Sequence, residues 1–223
     1  MQGSAEIDYL APGRFIDSDH PTIAAFAKET VGDLVDPTEK AIAIYGRVRD
    51  AFRYDPYNIP SDAEGYQASA TLARGHGYCV TKSALMAALC RAVGVPARVG
   101  YADVRNHLTS DKLKERMGTD LFAFHGYAEL FLNGQWVKAT PVFNLSLCEK
   151  VGILPLEFDG RADSIFHPFD ASGRRHMEYV RDRGHYADVP FEEIQSTFAE
   201  IYGWGGGSLG GDADAFEDEA KAG

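Results

Sequence analysis

The chain is short of cysteine, of cations and of long apolar runs, and each shortage removes a class of protein. Three cysteines, Cys79, Cys90 and Cys148, make an odd count in 223 residues. Cys79 and Cys90 fall in one stretch of helical composition, about 16 Å apart along a helix axis, too far for a disulfide. A disulfide framework is therefore not expected, and a reducing compartment fits better. Lysine and arginine total 22 against 33 acidic residues, a net charge of −11, with no basic stripe of the kind a nucleic-acid binder carries. No apolar run approaches the roughly 20 residues of a spanning helix. The start, Met1 to Glu6, lacks the basic and apolar regions of a signal peptide. A soluble, cytoplasmic protein without nucleic-acid or membrane partners is expected. Tryptophan and methionine are scarce, whereas 13 Phe and 11 Tyr predict a core packed through aromatic rings.

What is present reads as a series of punctuated elements. Residues 1–20 read as irregular or strand-like, and an amphipathic helix runs from Pro21 to about Val31 with Asp19 or His20 at its start. Asp36-Pro37 opens a second helix, the Asp as cap and the Pro in the first turn, with Ile42, Ile44, Tyr45 and Val48 as its buried stripe. Residues 53–70 carry turn chemistry (Asp55-Pro56, Pro60-Ser61-Asp62, Gly65) and predict a long surface loop. A helix from Cys79 stops at Gly94 before Pro96, and Val95–Tyr101 follows as a strand. The polar stretch 105–120 is partly helical, with Leu108, Leu113 and Met117 inward. Short aromatic strands are expected at 156–158, 165–169 and 177–180, and a last helix runs from Val189 to Tyr202. The Gly-rich, acidic residues 205–223 read as a flexible tail.

Cys79 has the most direct chemical meaning. Gly75 and Gly77 mark a loop that ends where the helix begins, so its thiol sits in a first turn, at the positive end of the macrodipole. That position favours the thiolate, the nucleophilic form. Buried cysteines are commonly inert, and this is the reading for Cys90 and Cys148. His76 and Cys79 form a His-x-x-Cys pair, but zinc needs more ligands at suitable spacing. His107, His167, His176 and His185 form no ligand series.

The strongest strand signal, Leu121–Leu132, meets Gln135–Thr140 across Asn133-Gly134, a pair that specifies a two-residue type I′ hairpin turn. This turn sets Phe131 against Trp136, Glu129 against Lys138 as a cross-strand ion pair, and Tyr127 against Thr140. Alternation puts His125, Tyr127, Glu129 and Phe131 on the more polar face, and Phe124, Ala128, Leu130 and Leu132 on the core face. His125 is thus displayed where a thiol on a packed helix can meet it.

Gly77-Tyr78-Cys79 leading into a helix that ends Gly94-Val95-Pro96-Ala97-Arg98 resembles the transglutaminase-like superfamily. So do His125-Gly126-Tyr127-Ala128-Glu129, Trp136 and Thr140-Pro141; the resemblance covers roughly residues 40–144. It implies an α+β, papain/transglutaminase-like core with the nucleophile helix packed on an antiparallel sheet. It divides the chain into an N-terminal segment (1–35), the core (36–145), an extension that completes or covers the core (146–204) and the tail. It also implies a Cys-His-Asp triad, with Cys79 as nucleophile and His125 as base. The family's acid, four positions after the tryptophan and before a proline, is here Thr140. A threonine can orient an imidazole but supplies no charge, and Asn144 is the alternative orienter.

A cysteine-dependent acyl-transfer enzyme follows as the expectation, needing neither cofactor nor metal. Its substrate is a peptide, a protein or a small amide, and hydrolysis is the expected outcome because compact members of the family resemble proteases. The Cys79 N–H is the natural oxyanion donor, with Tyr66, Gln67 and Tyr78 near the cleft. An acyltransferase of the arylamine acetyltransferase type shares the plan. A domain that has lost activity and binds a peptide or protein is the non-enzymatic alternative, favoured by Thr140.

Overall fold

The computed structural model describes residues 8–107, 111–166, 177–203, 207–208 and 218. Leu108, the stretch 167–176 with His167 and His176, and the expected tail apart from 207–208 and 218 lie outside the described residues.

Two capped helices come first. In α1 (Pro21–Val31), His20 Nδ1 accepts the Thr22 N–H. In α2 (Pro37–Ala51), Asp36 accepts the N–H groups of Thr38 and Glu39 at 2.8 and 3.0 Å. Pro37 occupies the first position, where a missing N–H costs nothing. The buried stripe is Ala41, Ile44, Tyr45 and Val48, while Ile42 is 38% exposed. These four follow the i, i+3, i+4, i+7 spacing of one helical face, and Ile42 falls off it.

The expected surface loop at 53–70 is corrected. The segment holds β1 (Arg53–Tyr54), β2 (Asn58–Ile59), a 3-10 turn at Glu64–Tyr66 and the start of α3 (Ala68–Arg74). Tyr57 and Tyr66 are fully buried. The turn chemistry itself is used: buried Asp55 accepts the N–H groups of Tyr57 and Asn58 and the Asn58 side-chain amide. The aromatic rings between the turn residues draw the segment inward, because each removes a large apolar area from water.

β3 (His76–Gly77) pairs in parallel with β1 and delivers the chain into α4 (Cys79–Ala92). Every residue of α4 from Cys79 to Arg91 is buried, the pattern of a helix enclosed on all sides. α1, α2 and α3 pack on it from one side, and β4 (Ala97–Asn106) and β5 (Leu121–Leu132) from the other. α5 (Asp111–Met117) lies between these strands in sequence, and β6 (Gln135–Ala139) and α6 (Leu145–Val151) follow them. β7 (Met177–Tyr186), α7 (Phe191–Tyr202) and β8 (Gly207–Ser208) complete the order. The largest sheet among the described residues is antiparallel, in the order β6-β5-β4-β7. β8 pairs with β2. This is the expected α+β arrangement of a nucleophile helix on an antiparallel sheet.

The hairpin register is as the sequence specifies, with Phe131 opposite Trp136 and Glu129 opposite Lys138. Asn133 and Gly134 both take positive φ, 51° and 83°, as a type I′ turn requires. The ladder ends at Ala128–Ala139, so Thr140 lies just beyond it. The ion pair expected between Glu129 and Lys138 forms elsewhere. Glu129 accepts from Arg98 of β4 at 2.5 Å, and Lys138 sits over the Tyr127 ring. A guanidinium on β4 reaches the buried carboxylate in a fixed geometry that the flexible lysine does not match. Leu156–Phe158 is not a strand; Leu156 and Phe158 are buried in irregular chain, with Phe158 against Tyr45.

Candidate active site

Cys79 is the first residue of α4, and its N–H belongs to the turn whose amides have no intrahelical acceptor. Thr81 steadies this turn, its Oγ1 accepting the Tyr78 N–H at 3.2 Å. β5 crosses the same turn at Gly126. A Cβ there would lie 3.0 Å from Val80 Cα and 3.1 Å from Cys79 O, so glycine is what lets the strand seat this closely.

The close seating sets the electrostatics of the sulfur. The N–H groups of Gly126, Val80 and Cys79 itself reach it and pull its pKa down, but burial outweighs them and pushes the thiol up to about 11. The helix-start advantage expected from sequence thus meets an opposing effect, because Cys79 is only 8% exposed. With a pKa of about 11, roughly one thiol in ten thousand is ionised at pH 7. A base or cation at the sulfur therefore decides whether it reacts.

His125 is the residue before Gly126, one peptide unit from the amide that reaches the sulfur. It is buried, paired with Ala102 of β4, and its ring lies 5.5 Å from that of Phe166. Just ahead of it the β4–β5 register slips between Ala102 and Val104. Phe124 takes φ of 53° and donates its N–H to Asp103, whose carboxylate is gripped by Arg183. Such an irregularity re-aims the side chain that follows it. The alternation drawn for the whole strand therefore holds from His125 onward and is interrupted just ahead of it.

The two candidates for the third position differ in what they have left to give. Thr140 is buried, its carbonyl accepts from Tyr45 Oη at 3.3 Å, and its Oγ1 has no hydrogen-bond partner among the described residues. Asn144 is committed: Oδ1 accepts the Tyr54 N–H at 3.0 Å and Nδ2 donates to Ser146 Oγ at 2.7 Å. Around the cleft, the Tyr78 hydroxyl donates to that of Tyr66, which also accepts from Gln195 of α7. Gln67 reaches away, to Arg14 O.

Cys90 is fully enclosed and burial pushes its thiol far up; Cys148, nearly enclosed, is pushed up to about 11 for the same reason. His76 faces Asp55, Nδ1 to Oδ2 at 3.2 Å. Among the described residues no group of three or more His, Cys, Asp or Glu side chains gathers to hold a metal.

One residue of the neighbourhood escaped sequence reasoning. Lys82, one turn along from Cys79, is fully buried and donates to the carbonyls of Arg49, Phe52 and Val142 at 3.1, 2.5 and 2.7 Å. A lone lysine between Val80 and Leu89 in a run of small and apolar residues is the signal that marks it.

Residues 24–141, more than half of the chain, match the sequence profile of the transglutaminase-like superfamily. The chain belongs to that superfamily. Several solved structures resemble this transglutaminase-like chain. One is a proposed cysteine protease from Cytophaga hutchinsonii, 20% identical, with a TM-score of 0.46 over 80% of this chain and 53% of that one. A proposed protease from Parabacteroides distasonis is 18% identical, with a TM-score of 0.41 over 57% and 24%. The arylamine N-acetyltransferase of Mycobacterium abscessus is 15% identical, with a TM-score of 0.40 over 60% and 46%. The chain thus spans about half the length of two of these proteins and a quarter of the third. No curated protein matches the sequence. The superfamily match ends before α6, β7 and α7.

Proposed function

We propose that this transglutaminase-like chain is a cysteine-dependent acyl-transfer enzyme that hydrolyses an amide or peptide. Cys79 gives its proton to His125, and the thiolate attacks the substrate carbonyl, so that an S–C bond forms. The tetrahedral oxyanion rests against the N–H groups of the α4 first turn. The C–N bond then breaks, and the amine leaves with the proton returned by His125. Water, with His125 again as base, cleaves the thioester and restores the thiol. The unpartnered Thr140 hydroxyl is the group available to orient the imidazole. The substrate is a peptide, a protein or a small amide, and no residue of the scheme calls for a cofactor.

The observation that carries this reading is the seating of Gly126 on the first turn of α4, which sets the residue after His125 against the nucleophile. A proton acceptor is needed there, since the buried thiol alone titrates at about 11. An imidazolium within about 4–6 Å favours a thiolate by 1–3 pKa units. A second reading, an inactive domain that binds a peptide, is favoured by the same burial and by Thr140 in the family's acid position.

Alkylation by iodoacetamide, read at each cysteine by peptide mass spectrometry across pH 5–11, separates the two. The enzyme reading expects Cys79 to be labelled at pH 7 much faster than Cys90 and Cys148. In His125→Ala the labelling should slow by about tenfold or more at pH 7, a barrier increase of about 1.4 kcal/mol. Labelling of Cys79 that matches Cys90 and ignores His125 would sink it and leave the binding domain.

A further inference from the structure

Cys79 opens into a pocket whose other walls come from four places. Tyr54, Pro56 and Ile59 stand on one side, Phe122 and Ala123 of β5 on another, Leu113 and Met117 of α5 on a third, and Phe198 and Tyr202 of α7 close it. No charged side chain is among these walls. Two of their hydroxyls are already engaged with the protein: Tyr78 Oη donates to Tyr66, and Tyr202 Oη donates to Leu121 O and accepts the Ala123 N–H. An ionised group entering the pocket would lose its hydration and find no counter-charge.

We infer that this pocket holds the acyl side of the substrate and selects a small, uncharged aliphatic group of alanine to valine size. The inference rests on the reading of Cys79 as the nucleophile and adds what it acts on. Which side of the scissile bond the pocket serves follows from its walls. They include Cys79, and His125 is not among the described residues that form them. The part of the substrate that stays on sulfur is the acyl group, whereas the leaving group must be near the base that protonates it. Size follows from volume. The pocket holds about 40 Å³, against about 150 Å³ for an apolar cavity that takes a benzene ring. Two of its walls come from α5 and α7, and α7 lies beyond the superfamily match.

p-Nitrophenyl esters test this directly with the full chain. Attack forms the S–C bond of a Cys79 thioester and expels p-nitrophenolate, and water then releases the acid. Butyrate and hemisuccinate share a four-carbon acyl chain, with a carboxylate in place of the terminal methyl in the second, while benzoate is uncharged but too large. Butyrate should exceed both in kcat/KM by about tenfold or more, the usual range for a pocket that rejects a poor fit. In Met117→Ala the benzoate-to-butyrate ratio should rise severalfold, because the wall that excludes the ring has been cut back. Mass spectrometry of the quenched enzyme locates the acyl group. Acylation of Cys79 with no preference between butyrate and hemisuccinate overturns the pocket assignment while the nucleophile stands. Equal turnover by wild type and Cys79→Ala, with no adduct on Cys79, overturns both.

Discussion

At the scale of single residues, Lys82 concentrates the competing forces of this core. Its three carbonyl partners satisfy all three N–H groups of an ammonium, whereas a neutral amine has only two and would turn a lone pair on the third oxygen. Two of those carbonyls, of Arg49 and Phe52, end α2, where the helix dipole is negative. Burial works the other way and pushes the pKa down to about 7. An unfolded lysine titrates near 10.4, so between these values the unfolded chain holds the proton more fully than the folded one. Stability from this group therefore rises with pH from about 7 toward 10, and below 7 the fold carries the full cost of a buried cation. Urea unfolding at pH 6.5 and pH 9 should show wild type gaining stability relative to Lys82→Met over that interval; an unchanged difference between the two proteins would contradict it. The sequence displays Lys82 as an odd charge in an apolar helix but not its partners, because those carbonyls come from Arg49, Phe52 and Val142, far away along the chain. Cys79 shows the same limit from the other side. Its place at a helix start is legible, while the burial that raises its pKa depends on β5, α5 and α7 folding over it.

Among the elements, those governed by local chemistry were readable in the sequence. The caps at His20 and Asp36, the Asn133-Gly134 turn and the span of β5 follow from neighbours a few residues apart. Elements that depend on distant partners were not. β1 and β3 are two residues each and exist because they pair with one another, and the slip before His125 depends on Asp103 and Arg183. α7 joins both classes. Its amphipathic pattern and limits are local, but its purpose appears only in the contacts of Gln195 with Tyr66 and of Tyr202 with β5. The Tyr202 hydroxyl satisfies an N–H and a C=O of the strand that carries His125, at 2.7 and 3.0 Å. Tyr202→Phe keeps the ring and strands those two groups. It should cost about 1–3 kcal/mol in unfolding free energy and speed hydrogen exchange at the Ala123 amide by tenfold or more. Exchange at Ala123 that stays as slow as in wild type would mean that α7 is held by its apolar face alone.

Across the whole molecule, α4 is held at both ends by buried cations that bind backbone rather than carboxylates. Lys82 gathers α2 and the segment after β6 near the Cys79 end. Arg91 does the same at the other end, donating to Ala97 O at 2.9 Å, Ala11 O at 2.7 Å and Ala187 O at 2.5 Å. Those carbonyls belong to the N-terminal segment, the start of β4 and the connection between β7 and α7, so one guanidinium ties three separate segments to the central helix. Its fork of fixed N–H groups suits three separated acceptors better than a lysine would. Arg91→Leu leaves one buried and two half-buried carbonyls without this partner and should lower unfolding free energy by about 2 kcal/mol. The loss falls at the end of α4 remote from the sulfur, about 18 Å along the helix. Under native conditions Arg91→Leu should therefore alkylate Cys79 within about twofold of wild type. Lys82→Met should lose comparable stability and also slow the alkylation, since it loosens the turn on which Gly126 is seated. Urea midpoints and native-state alkylation rates measured on both variants decide this. If the two lose reactivity equally, α4 responds as one rigid body and the division of labour between its ends is wrong.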